Sequence, residues 1–196
     1  MATIPPESQD SSNSLAAVAA QQLLSAIAPK AALSRKGTEE TPARFAKALA
    51  ELTSGYKCED PSSLLKLFPA EGYDQIIAIK GIPFVSLCEH HVMSFTGTVS
   101  VAYLPNPDKY IVGLSKVARV VRVITRRLQV QERITQEISK AFAPLEARGI
   151  AVLVQAHHTC MSLRGAESPG IMVTSIVEGV FRESASAKAE VMEILK

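Results

Sequence analysis

Two clusters of thiol and imidazole side chains, far apart in the chain, constrain its fold more than any other feature. The first is Ser86-Leu87-Cys88-Glu89-His90-His91, and the second is His157-His158-Thr159-Cys160-Met161. Cys88 and His91 have the C-x-x-H spacing with which two ligands from one turn bind one ion, and Cys160 can supply a third. A fold that satisfies this must bring two distant stretches of backbone to one point. Three protein ligands leave a tetrahedral zinc ion (Zn2+) one open position, the pattern of a catalytic rather than a structural site. At such a position zinc lowers the pKa of water from about 16 to roughly 7. His90 and His158, beside these ligands, are suited to moving protons. The alternative is that the thiols are small buried hydrophobes. Cys58 has no His or Cys neighbour and reads as a bystander or core residue.

Composition narrows the class. A chain of 196 residues that is 47% hydrophobic can bury a real core, and its length suggests one domain with an N-terminal extension. Trp is absent and aromatics make up 5%, so the core rests on Val, Ile, Leu and Ala. A net charge of +2 gives no general affinity for nucleic acid. Three cysteines at metal-like spacing do not form a disulfide framework, which points to a reducing, cytoplasmic setting. No run of about 20 apolar residues marks a membrane span. The N-terminus has neither the basic-then-apolar pattern of a secretory signal nor the early Arg of a transit peptide.

The chain reads as a polar, flexible tail over residues 1–14, a helical region over 15–55 and a larger domain over 56–196. Leu15 to Ile27 is Ala- and Leu-rich and predicts a helix ending near Pro29. Thr38 or Thr41 can cap another, with Phe45, Leu49 and Leu52 at helical spacing and Gly55 as its end. Gln75 to Lys80 and Phe95 to Leu104 read as strands, with the first Cys/His cluster on a loop between them. After the turn at Pro105 to Asp108, Tyr110 to Gly113 can return antiparallel. Ser115 can cap a helix whose Val117, Val120, Val121, Ile124 and Leu128 share one face. A second helical stretch runs to Pro144. Gly149 opens a strand that delivers His158 and Cys160. A last strand, Met172 to Phe181, precedes a short C-terminal helix. This order is an α+β domain: an antiparallel sheet with two long helices on one face, preceded by N-terminal helices.

Further chemistry-bearing groups follow. Lys116 and Arg119, three apart on one helical face, can clamp a polyphosphate, or can be part of a solvated basic face. Arg164 places a guanidinium near the second cluster, and its planar fork suits phosphate. Glu132, in Gln131-Glu132-Arg133, can accept two parallel N–H bonds such as guanine offers, or can be a plain exposed helix residue.

Four strings now carry a resemblance: Ser-Leu-Cys-Glu-His-His (86–91), Gly-Leu-Ser-Lys-Val-Ala-Arg (113–119), Arg-Arg-Leu-Gln-Val-Gln-Glu-Arg-Ile-Thr (126–135) and His-Thr-Cys-Met-Ser-Leu-Arg-Gly (158–165). In this order and register, from about Thr41 to Phe181, the chain resembles GTP cyclohydrolase I. The resemblance implies the tunnelling fold and a toroidal homo-oligomer, a decamer, with active sites between subunits. It implies GTP as substrate, converted with water to formate and 7,8-dihydroneopterin triphosphate, and makes 56–196 the catalytic domain. It implies Cys88, His91 and Cys160 as zinc ligands and His90 and His158 as the acid–base pair. Glu132 would grip the guanine edge with Gln131 nearby, and Ser115 would sit near the ribose. Lys116, Arg119 and Arg164 would meet the triphosphate, with Arg44 reaching in from a neighbouring subunit. No membrane or nucleic-acid partner is implied.

Two places depart from the family pattern. Ser94 stands where Pro is common, and Ala166-Glu167-Ser168 stand where basic residues are common. Two other readings compete. Nitrile reductases share the tunnelling fold but use a nucleophilic cysteine and a nicotinamide cofactor. A non-catalytic purine- or pterin-binding module would keep the pocket without turnover.

Overall fold

The computed structural model describes residues 6–196, with side chains described from Leu15 onward. The chain divides into two compact units, one ending at Leu52 and the other running Thr53–Lys196.

The first unit is helical. α1 (Pro6–Ile27) precedes the short α2 (Lys30–Leu33) and α3 (Thr41–Leu52). Of the tail read over residues 1–14, residues 1–5 lie outside the described residues, and the backbone from Pro6 is already helical. The stop near Pro29 has a clear cause: Pro29, at φ −65°, is the N-cap of α2 and cannot donate to α1. α1 and α3 are in contact, and Ala20 and Ala46 are the buried side chains of the pair. No helix among the described residues is long and apolar enough to cross a membrane.

The second unit is built on a five-stranded sheet. Its strands are β2 (Ile77–Cys88), β3 (Ser94–Leu104), β5 (Leu128–Gln129), β6 (Gly149–His158) and β7 (Ile171–Gly179), in the order β5-β2-β3-β6-β7. All neighbours are antiparallel except β5, which runs parallel to the end of β2. β1 (Leu67–Pro69) and β4 (Tyr110–Val112) form a separate two-stranded ribbon. The expected return of Tyr110 to Gly113 onto the preceding strand is therefore corrected. β4 pairs with β1, and its Val112 N–H donates instead to the buried Tyr103 hydroxyl at 3.1 Å.

α4 (Leu114–Thr125) and α5 (Gln131–Ala141) cover one face. The apolar stripe of α4 is buried as its periodicity requires: Val117, Val120, Val121 and Ile124 are each 0% exposed. They meet Val99, Val101, Tyr103, Val152 and Val154 of the sheet. Leu128 does not continue that stripe, because the helix ends at Thr125 and Leu128 belongs to β5. Ser115 is not the cap. Gly113 holds that position, with no side-chain hydrogen bond. The short α6 (Thr159–Ser162) follows β6, and α7 (Val180–Glu183) and α8 (Ala185–Leu195) follow β7. Phe181, Val191 and Leu195 of these last helices pack on Ala102, Ala151 and Leu153. Those are the alternate side chains of the same strands, so part of the second face is covered too.

Two glycines set the frame. Ile79 faces Val101 and Ile82 faces Val99, so β2 carries one residue more than β3 between those pairs. Gly81 sits in this bulge at φ 69°, a conformation that glycine adopts without penalty. One inserted residue reverses the face taken by every later side chain. Ile77 and Ile79 before it, and Ile82, Phe84 and Cys88 after it, thereby all join the α4–α5 core. Gly55 does not end α3. It lies in a 3-10 turn, donates to Arg126 O at 2.8 Å, and a Cβ there would stand 2.0 Å from Val123 O.

Candidate active site

Strand direction explains why the two Cys/His clusters meet. β2 and β6 both run antiparallel to β3, so both end where β3 begins. Cys88 is the last residue of β2, and β6 ends at His158 directly opposite Phe95. Between β2 and β3 the backbone closes tightly. Cys88 N–H donates to Met93 O at 2.8 Å, and Cys88 O accepts from Val92 N–H at 2.8 Å. From the other side, Thr159 Oγ1 donates to Ser94 O at 2.5 Å, tying the turn that carries Cys160 to the start of β3. Because a backbone carbonyl does the accepting, this tie does not depend on the Ser94 side chain.

The ligand atoms of Cys88, His91 and Cys160 all lie within 4.8 Å of one another, a group that could hold a metal ion. Cys88 Sγ is 3.7 Å from His91 Nδ1 and 3.9 Å from His90 Nδ1. Burial, and then the adjacent Cys88 thiol, push the Cys160 thiol upward, so without a cation the two sulfurs resist sharing negative charge. These groups open into a cavity of about 420 Å³, also lined by His158, Glu132, Met161 and Ile171. A larger depression of about 540 Å³ beside Phe84 and Arg122 carries neither thiol nor imidazole. Cys58 lies elsewhere, its Sγ 3.4 Å from Asp60 O.

α5 reaches this point because β5 pairs with the end of β2, Cys88 opposite Gln129. Glu132 then falls in the first turn of α5, where the helix dipole favours a carboxylate. His158 stacks on the buried Phe95 ring, centroids 4.3 Å apart and planes 10° from parallel. Its Nε2 is 2.9 Å from Gln131 Oε1. Burial holds the His158 imidazole below its ordinary value, with the Glu132 carboxylate opposing. Glu89 faces Arg133 with both oxygens, at 2.5 and 3.2 Å. This hydrogen-bonded partner holds the Glu89 carboxyl below the usual carboxylate range.

A family model described as GTP cyclohydrolase I matches residues 16–196. The chain belongs to the GTP cyclohydrolase I family. It is 42% identical over 164 residues to GTP cyclohydrolase 1 of Dehalococcoides mccartyi, a match covering 83% of this chain and 86% of that protein. It is 41% identical over 182 residues to GTP cyclohydrolase 1 of Mycobacterium avium, covering 92% and 88%. With GTP cyclohydrolase 1 of Streptococcus thermophilus it shares 40% over 180 residues, covering 91% and 94%.

The residues that carry the GTP cyclohydrolase I resemblance separate into two groups. Cys88, His90, His91, Gln131, Glu132, His158 and Cys160 all line one cavity. Ser115, Lys116, Arg119, Arg164 and Arg44 do not, and among the described residues lining it there is no Lys or Arg. Ser115, Lys116 and Arg119 lie in the first half of α4, which follows the far ends of β3 and β4. A helix of 12 residues is about 18 Å long, and only its C-terminal end leads to β5 and the cavity. Arg164 is exposed beyond α6 and near enough to Cys160 to favour its thiolate. Arg44 is in the first unit, paired with Glu40 at 2.6 Å. Sequence reasoning missed Phe95, Thr159 and the Glu89–Arg133 pair. Phe95 registered only as the start of a strand, and the other contacts link residues 65 and 44 positions apart.

Proposed function

We propose that this protein binds GTP, opens the imidazole ring of its guanine hydrolytically, releases C8 as formate and forms 7,8-dihydroneopterin triphosphate. The observation that carries this reading is the convergence of Cys88, His91 and Cys160 in one cavity with His158 and Glu132. The donor set fits zinc. Tetrahedral Zn–S and Zn–N bonds separate their donor atoms by about 3.6 Å, against 3.7 Å between Cys88 Sγ and His91 Nδ1. Bound there, zinc supplies a Lewis acid and a water acidic enough to ionise near neutral pH.

The chain's own groups do the rest. Glu132 accepts from N1 and the 2-amino group of guanine, which orients the purine with C8 toward the thiol cluster. C8 is a poor electrophile until N7 carries a proton, and His158 delivers that proton. Phe95 supports this role by holding the imidazole plane. His90 is exposed at the cavity mouth and relays protons as the ring opens. A sugar rearrangement and re-closure then form the pterin.

The triphosphate needs cations, and among the described residues lining the cavity there is no Lys or Arg. We assign them to Lys116, Arg119, Arg164 and Arg44, with Ser115 at the ribose, some of these coming from a neighbouring subunit of a toroidal decamer with the tunnelling fold. Edge strand β7 supports assembly. Among the described residues it pairs only with β6, and its Ile171 and Val173 are 59% and 55% exposed. The cytoplasm suits two cysteines that must remain thiols or thiolates to bind metal.

The test is incubation with GTP with and without a chelator, followed by oxidation and fluorescence detection of neopterin. Metal-dependent neopterin with equimolar formate is expected. Turnover that persists in the metal-free protein overturns the reading.

A further inference from the structure

Gln131 stands where the family resemblance puts a substrate contact, yet its side chain is buried and its hydrogen bonds go to the protein itself. It is 1% exposed. Its Nε2 lies 3.1 Å from Val154 O and from Met172 O and 3.2 Å from Thr174 Oγ1, three acceptors that share its two N–H groups. Two of these partners are backbone carbonyls, which can only accept. Turning the amide over would place its oxygen against both of them, so the amide has one acceptable orientation. Its Oε1 must therefore point at His158 Nε2, 2.9 Å away. An amide oxygen cannot donate, so the proton in that bond belongs to the imidazole.

The hydroxyls beside it close the network. Thr135 Oγ1 donates to Gln131 O at 2.9 Å, which leaves Thr174 Oγ1 to donate to Thr135 Oγ1 across 2.6 Å. Thr174 thus has only lone pairs to offer Gln131, which again requires the nitrogen end of the amide to face it. A buried, fully satisfied polar network of this kind specifies a single arrangement. Phe95, stacked on the other side of His158, blocks rotation of the ring away from it.

We propose that Gln131 is a positioning residue that pins His158 in the Nε2–H tautomer and so fixes the lone pair of the neutral ring on Nδ1. The proposal rests on the reading of His158 as the acid–base group, and it moves Gln131 from ligand contact to tautomer control. A neutral imidazole carries one N–H. With Nε2 donating to Gln131, the lone pair lies on Nδ1, and the bond that orients the ring uses the other nitrogen.

The chain has four histidines, which keeps a ring-nitrogen spectrum tractable. The zinc-loaded protein is labelled with ring-15N histidine and studied by magic-angle-spinning NMR at about pH 8, above the ordinary imidazole range. The His158 signals are assigned by their loss in His158→Ala. A protonated Nε2 and an unprotonated Nδ1 are expected. A protonated Nδ1, or averaging between tautomers, overturns the proposal.

Kinetics of the zinc-loaded enzyme supply the second readout. Gln131→Met lowers kcat about 10²-fold, the smaller end of what a positioned acid–base group contributes. Its zinc content is unchanged and its KM for GTP stays within about threefold of wild type. A raised KM with unchanged kcat in Gln131→Met would mean that Gln131 touches substrate, and would also overturn the proposal. The wild-type spectrum decides the tautomer even if Gln131→Met fails to fold. Normal turnover in His158→Ala would remove the acid–base reading while leaving that spectrum interpretable.

Discussion

At the end of the sheet far from the cavity, Ala102, Ala151 and Leu153 meet Phe181, Val191 and Leu195 in an all-apolar contact. At the cavity end, Gln131, Gln129, Thr135 and Ser86 are buried and polar. Their side chains reach across the chain: Gln131 to Val154 O and Met172 O, Gln129 to Ile124 O, Ser86 to Arg127 O. Burying one Leu or Phe side chain contributes about 1.5–3 kcal/mol. A hydrogen bond contributes only about 0.5–1.5 kcal/mol net, but costs more when one partner is removed. The far-end contact therefore acts on stability alone, while the polar contacts at the cavity end set positions and tolerate little change. Substitutions at the two ends should separate cleanly into losses of chemistry and losses of stability.

The largest effect is expected at the metal ligands. Cys160→Ser should lose zinc and neopterin formation together while its circular dichroism spectrum stays that of a folded protein. Full zinc content by atomic absorption would show that Cys160 is not a required ligand. Next comes His158→Ala, which should retain zinc and lose about 10²–10⁴-fold in kcat. Wild-type turnover would refute its role. The far end should behave in the opposite way. Leu153→Ala should cost about 2–5 kcal/mol in denaturant unfolding, yet leave kcat and KM unchanged at temperatures where the chain is folded. A comparable loss of kcat would show that the two ends are not independent.

Gly81→Ala sharpens the comparison, since the Gly81 bulge connects the two ends. No atom crowds a Cβ there, so its cost comes from the positive φ alone, about 1–2 kcal/mol. Zinc binding should persist. Deleting Gly81 instead would turn Cys88 to the other face of the sheet and abolish metal binding.

The smallest effect concerns pH. Burial raises the Tyr103 phenol above 10.0, partly offset by the Val112 N–H that donates to it. The unfolded chain then releases this proton before the folded one. The contribution is constant below pH 10 and declines as pH rises beyond it. Tyr103→Phe should flatten this alkaline slope in urea-unfolding midpoints measured between about pH 9 and 11.

How much of this was legible depended on periodicity. The α4 stripe and strand β3 stand out because each holds one period, and β6 because Ile150 to Val154 is an unbroken apolar run. β2 was expected only over Gln75 to Lys80, because the bulge at Gly81 switches the parity of its apolar residues and Pro83 interrupts the pattern; it runs on to Cys88. The helical reading through Leu128 failed because an apolar residue fits either a helix stripe or a short buried strand. Only the pairing of Leu128 with Leu87 decides between them. At the site, the three ligands were readable because metal chemistry demands particular residue types at short spacing. The hold of Gln131 on His158 was not, since its partners are set by β6 and β7 lying beneath α5 rather than by any local pattern.

X-ray absorption at the zinc edge of the purified protein tests the central claim most directly. The account predicts one zinc per chain with two sulfur neighbours near 2.3 Å and two nitrogen or oxygen neighbours at about 2.0–2.1 Å, one of the latter exchangeable on adding GTP. A zinc held by four protein ligands, or full GTP turnover by protein that holds no metal, would contradict it.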